Sequence, residues 1–184
     1  MFRSLKRLGR RRSLRRGILA GLAGGLAGTV AMTQFQNGWN KLSQSSSNGS
    51  GSQSDKSERS DPEKEDATMK AAGKLAEAAG YSLPHQTKKK AGPLVHYTFG
   101  TAMGLLYGIA AEMGPRAVKR HSLLSGLGFG GAVFVLGDEI AVPRLGLSAP
   151  AREAPLSSHL YGAASHLVYG ATTGVVRQAV ARLL

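Results

Sequence analysis

Five side chains able to carry a proton or bind a cation stand in or beside stretches that are otherwise uncharged: His96, Asp138, Glu139, His159 and His166. Imidazole next to carboxylate suits two kinds of chemistry. Histidine changes charge near neutral pH, where a carboxylate can stabilise the charged form, and the same ligand types hold divalent cations such as zinc. The five residues are therefore a candidate proton or ion site, with no particular metal implied. A structural role is the alternative: Asp138 and Glu139 would cap a helix end, and the histidines would hydrogen-bond between helices. Glu139, His159 and Glu112 also lie close enough to the ends of their segments to be merely interfacial. Other chemistry is excluded by what the sequence lacks. It has no cysteine, which removes disulfides, thiolate metal sites and cysteine nucleophiles. It has no HExxH and no Ser/His/Asp ordering, and the glycines Gly21, Gly24 and Gly28 fall within an apolar stretch, so a dinucleotide fold is not supported. Neither an enzyme nor a cofactor is expected.

The stretches that hold these residues define the architecture. Gly17 to Asn40, Ala91 to Ala111 and Ala154 to Val176 are 24, 21 and 23 residues without a formal charge, and Ser122 to Pro143 adds 22 with only Asp138 and Glu139 near its end. About 20 helical residues cross roughly 30 Å of hydrocarbon. The four windows hold 18 of the 25 glycines. Such glycines weaken a water-soluble helix, whereas in lipid small residues let helices approach closely. The expected fold is all-α: a four-transmembrane-helix bundle over 17–180, with helices at about 17–37, 92–113, 122–142 and 156–180. A secreted protein with Gly17 to Ala31 as a signal-peptide core is the weaker reading, because three further apolar segments follow. The mean hydropathy of −0.14 averages these segments with a strongly polar remainder.

That remainder is basic, with 24 Lys and Arg against 11 Asp and Glu and a net charge of +13. Eight of the basic residues fall in 1–16 with no acid, forming a tail that anionic lipid headgroups attract by about 1 kcal/mol per residue. Without aromatic interleaving or a recognisable module, nucleic acid is not an expected partner. Residues 41–90 read as a flexible loop: Ser43 to Ser60 has linker composition. Asp61-Pro62-Glu63 then opens an alanine-rich helix at about 62–79 that stops at Gly80. Its face of Ala67, Ala71, Leu75, Ala78 and Ala79 implies weak docking. The tail, the 114–121 turn (Arg116, Lys119, Arg120) and the C-terminus (Arg177, Arg182) carry no acid, which predicts both termini in the cytoplasm with 41–90 and 144–156 outside. Lys88-Lys89-Lys90 opposes that orientation.

The chain also matches itself. His96-x-x-Phe99-Gly100-x-x-x-Gly104 coincides with His166-x-x-Tyr169-Gly170-x-x-x-Gly174 at an offset of 70, and Leu19-Ala20-Gly21-Leu22 with Leu124-Ser125-Gly126-Leu127 at an offset of 105. This predicts a tandem duplication of a helical hairpin. Four-residue rows join the titratable groups to small residues: Gly126, Gly130, Phe134 and Asp138 in one segment, His96, Gly100 and Gly104 in another, His166, Gly170 and Gly174 in a third. Such rows mark helix contacts. Gly21, Gly25, Gly100, Gly104, Gly126, Gly130, Gly170 and Gly174 are thus the expected packing glycines, and Asp138, His96 and His166 should point inward, with Gln34 opposite Glu139. Tyr97, Tyr107, Tyr161, Tyr169 and Trp39 read as packing or interfacial-belt residues.

The block Gly137-Asp138-Glu139-Ile140-Ala141-Val142-Pro143-Arg144-Leu145-Gly146-Leu147, with His96-x-x-x-Gly100-x-x-x-Gly104-x-x-Tyr107-Gly108 and His166-x-x-Tyr169-Gly170, resembles the YagU-like family of small bacterial inner-membrane proteins, a domain of unknown function. The resemblance covers about Gly17 to Val180. It implies a multi-pass protein of the bacterial plasma membrane and supplies no catalytic residues. Two functions follow as expectations. One is a non-enzymatic envelope protein, in contact with the lipid bilayer and with itself as a homo-oligomer, that senses or tolerates conditions such as pH. The other is a small proton- or metal-ion-linked transporter or channel that uses the His/Asp cluster.

Overall fold

The computed structural model describes the backbone of residues 2–47 and 65–184, with side chains for 13–45 and 65–184. Every regular element among the described residues is helical. Helix α1, Phe2–Ser47, runs unbroken for 46 residues, well beyond the 17–37 expected. No proline interrupts it, and Arg, Lys, Leu and Ala favour helix in water as in lipid. The basic segment is therefore helical from Phe2, and the Ser-rich segment as far as Ser47.

Helix α2, Ala67–Ala78, is shorter than the 62–79 expected. Its N-cap is Asp66, whose Oδ1 accepts from the Met69 amide at 2.8 Å and from Thr68 Oγ1 at 2.7 Å; Asp61 lies outside the described residues. The docking face also differs. Met69, Ala72 and Gly73 are buried while Leu75 is exposed, because glycines open the approach: Gly92 lies against Thr68 and Met69, and Gly73 against the Lys88 stem. Glu65 pairs with Lys88 at 3.0 Å beside this contact.

Helix α3, His85–Met113, starts well before the expected 92 and takes Lys88-Lys89-Lys90 and Pro93 into its first turns, so the loop thought to end at 90 ends sooner. After the short α4, Arg116–Arg120, helix α5, Ser122–Val133, continues through a π-helical segment, Phe134–Ala141, into α6, Val142–Arg144. A 3₁₀ turn at Ala151–Glu153 leads to α7, Leu156–Leu183.

Three of these segments are long and apolar enough to cross a membrane: Ser13–Ser45, His85–Met113 and Ser122–Arg144. The side chains are sorted as lipid would sort them. Leu19, Leu106, Leu124 and Leu136 are more than half exposed, whereas the largest fully buried side chains are Arg177, Thr29, Thr173 and Ser165. In water, so many outward leucines would form patches prone to association.

α1 packs against α3 on one side and α7 on another, and α5 packs on α7. Gly17, Gly21 and Gly25 of α1 meet Gly108, Gly104 and Gly100 of α3, while Gly24 and Gly28 meet Arg177, Thr173 and Tyr169 of α7. The two hairpins share this glycine contact but not its register. Gly25 meets Gly100 and Gly104; Gly130, its counterpart in the repeat, meets His166 and Gly170. The offsets require Gly170 and Gly174 there, so the second hairpin is slipped by four residues, one helical turn. In space His166 corresponds to Gly100, and His96 to Gly162.

Candidate functional site

Antiparallel packing gives the helix group two ends. At one, the far end, are Trp39, His96, Asp138 and His159; at the other, the basic end, are Arg16, Glu112, Lys119 and Arg177.

At the far end the five predicted residues divide into two groups. His166 is buried, and its Nδ1 donates to the Gly162 carbonyl at 2.9 Å, one turn back on its own helix. Asp138 Oδ2 lies 3.7 Å from the same nitrogen, too long for a hydrogen bond but close enough for attraction when the ring is charged. His96 is within electrostatic reach of both His166 and Asp138, and of Asp66 at the start of α2. Its Nε2 is buried with no hydrogen-bond partner, and its ring lies edge-on to Tyr97 at 5.9 Å. Glu139 and His159 form the second group, joined by a 2.7 Å bond between Oε1 and Nδ1 at the helix ends. Gln34 is exposed. Among the described residues no three His, Asp or Glu side chains converge as a metal site.

The inward orientation expected for Asp138 holds only in part: its carboxylate stays beside buried His166, but its side chain is 47% exposed. The row Gly126, Gly130, Phe134, Asp138 assumes a helix of 3.6 residues per turn. From Phe134 the backbone is π-helical, and with i→i+5 bonding a four-residue step no longer completes a turn. Asp138 is thereby rotated out of the row while staying beside His166. Phe134 keeps its inward place against Gly162 and the His166 ring.

Among the described residues the most buried charges lie at the basic end. Arg177, 1% exposed, donates from Nη1 to Glu112 Oε1 at 3.1 Å, and Lys119 Nζ reaches Glu112 Oε2 at 3.3 Å. The guanidinium lies over the Tyr107 ring, 5.8 Å from its centroid, an attraction between cation and aromatic face. Tyr107 stacks on Phe129 at 4.6 Å and shares a 2.7 Å hydrogen bond with Ser125. Phe129 in turn contacts Tyr169, whose hydroxyl donates to the Gly100 carbonyl at 2.7 Å. The 114–121 turn closes this end: Gln178 Nε2 donates to the Lys119 carbonyl at 2.8 Å, and Gln178 also bonds Ser122. By sequence alone Arg177 reads as a cytoplasmic charge and Glu112 as an interfacial one. The available signal was glycine: Gly17 makes room for the Glu112 side chain and Gly24 for that of Arg177.

A groove between α1 and α3, lined by Leu22, Tyr97, Thr98, Thr101, Ala102 and Leu105, opens on the outer surface and is lined by neither Asp138 nor the histidines. Comparison of the chain with protein-family models, curated proteins and solved structures gives no match.

Proposed function

We propose that this chain is a multi-pass, non-enzymatic protein of the bacterial inner membrane that responds to pH, with His96, His166 and Asp138 as the responding group. The observation that carries the reading is the buried, unpartnered Nε2 of His96 within electrostatic reach of His166 and Asp138. A buried polar nitrogen without a partner costs free energy, and proton uptake changes its interaction with every charge nearby. Those charges are His166 on α7, Asp138 on the π-helical segment and Asp66 at the start of α2. Protonation of both rings sets two like charges side by side, with Asp138 as their shared counter-charge.

The four-span reading of the fold is supported by packing. α7 meets α1 at Gly24 and Gly28 and α5 at Gly126 and Gly130, so it shares the surroundings of two apolar helices at successive levels. The orientation is supported by charge: the basic end holds Arg15, Arg16, Arg116, Lys119, Arg120, Arg177 and Arg182, with the acid Glu112 buried among them. Such an end faces the cytoplasm and its anionic headgroups. The resemblance of the Asp138 block to the YagU-like family supports the same membrane.

Trp39, the one tryptophan, lies against Phe35 and Tyr161 at the far end and serves as a native reporter. In reconstituted vesicles its fluorescence should change as pH falls from about 8 to about 5, the range in which histidine titrates. Asp138→Asn and His166→Gln should remove or displace the transition, and Glu139→Gln should keep it. A flat trace for the unaltered protein would refute the reading. Proton flux measured in the same vesicles should match protein-free controls; flux that Asp138→Asn abolishes would favour a transporter.

A further inference from the structure

α7 does not reach the apolarity that marks the other three long segments, and its inward side holds Ser165, His166, Thr173 and Arg177, all buried. Arg177 is the extreme case. Its backbone lies beside Gly24, seven residues beyond Gly17 and so about 10 Å deeper at 1.5 Å per residue. Its guanidinium reaches back to Glu112, whose Cγ lies beside Gly17, as a long cationic side chain does when its backbone is held in an apolar layer. Glu112 belongs to α3, and α3 with α1 forms a glycine-packed hairpin that precedes α7 in the chain. Glu112 itself is held: Lys119 takes its second oxygen, and Ser13 Oγ lies 3.5 Å from its carbonyl.

We propose that α7 is a dependent span: it enters and stays in the bilayer because the α1–α3 hairpin presents Glu112 to Arg177. The proposal rests on the four-span reading above. An arginine in hydrocarbon is unfavourable without a partner, and loss of one member of a buried pair leaves the other as an uncompensated charge. Glu112 therefore acts as a positioning residue for the insertion of α7.

The chain has no cysteine, so Ala181→Cys and Ser148→Cys can each be labelled alone with a membrane-impermeant maleimide, in vesicles of either orientation. With α7 inserted, the two label from opposite sides. Glu112→Gln should lower the ratio of inserted to uninserted α7 about tenfold, seen as Ala181→Cys labelling from the Ser148 side. Glu112→Gln with Arg177→Leu, which removes both members of the buried pair, should restore insertion. Labelling of both cysteines from one side in otherwise unaltered protein would defeat the four-span reading itself. Opposite sides that stay opposite in Glu112→Gln would overturn the dependence alone. If Glu112→Gln does not accumulate, the double Glu112→Gln, Arg177→Leu decides: recovery supports the pair, and continued failure overturns it.

Discussion

Replacement of Gly25 by alanine should weaken the protein, although the same change usually strengthens a helix. A Cβ on Gly25 would lie 2.8 Å from the Gly104 Cα, 2.9 Å from the Gly100 carbonyl oxygen and 3.0 Å from that of Thr101, against 3.4–4 Å for ordinary contact. All three neighbours are backbone and cannot turn aside, so α1 and α3 must part by about 0.6 Å. A gap of 0.5–1 Å forfeits roughly a quarter to a half of the dispersion energy of the atoms it separates, and the same two helices also touch at Gly17 and Gly21. Overpacking costs about 1–3 kcal/mol, offset by roughly 0.5–1 kcal/mol from the better helix former, which leaves a net loss of about 0–2.5 kcal/mol and a deficit of about 1–3 kcal/mol against a site where only the helical gain applies. Gly128 is the control, because a Cβ there meets nothing within 4 Å, so only the helical gain remains. Reversible unfolding in mixed micelles, followed by circular dichroism as the denaturing detergent is raised, gives both values on one scale. If Gly25→Ala is as stable as Gly128→Ala, the close contact between these helices is not what holds the first hairpin.

Gly104→Leu and Gly130→Leu should go further and remove folded protein from detergent extracts, since the space at both is filled by backbone of the facing helix; normal yields would count against the packing described. Tyr169→Phe removes the 2.7 Å hydrogen bond to the Gly100 carbonyl and should cost about 0.5–1.5 kcal/mol in the same unfolding assay. Asp66→Ala removes the N-cap of α2, worth about 1 kcal/mol. Amide exchange should then quicken within Ala67–Ala78 and stay unchanged in α1, and an effect spread over all helices would refute a local cap.

The spacing of glycine made much of the packing legible. A residue without a side chain every fourth position has little use on a helix except to admit another backbone, and the eight glycines chosen by that rule sit at helix contacts. Gly24 and Gly28 form a second row that a single four-residue series does not capture, because α1 presents two faces, one to α3 and one to α7. The burial of Glu112 and Arg177 was not legible. Both stand near segment ends where charge is ordinary, and their enclosure depends on which helix lies opposite at which level. The exposure of Asp138 goes with a π-helical segment, Phe134 to Ala141, that holds Gly137 and is followed by Pro143; such residues mark weak helix without saying which way it will wind. The one-turn slip between the hairpins was hidden for a different reason: sequence offsets align residues, whereas packing aligns the gaps between them.

The unbroken α1 has a mechanical consequence. At 1.5 Å per residue its 46 residues make a rod of about 70 Å, while the hydrocarbon layer is only about 30 Å thick. Treated as one straight rod, a change in tilt of about 10°, small beside the spread of tilts found in membranes, would carry each tip sideways by about 6 Å in opposite directions. A straight helix of that length would reach well past both faces of such a layer, so that its two tips, though far apart in sequence and surroundings, would answer to a single change of tilt.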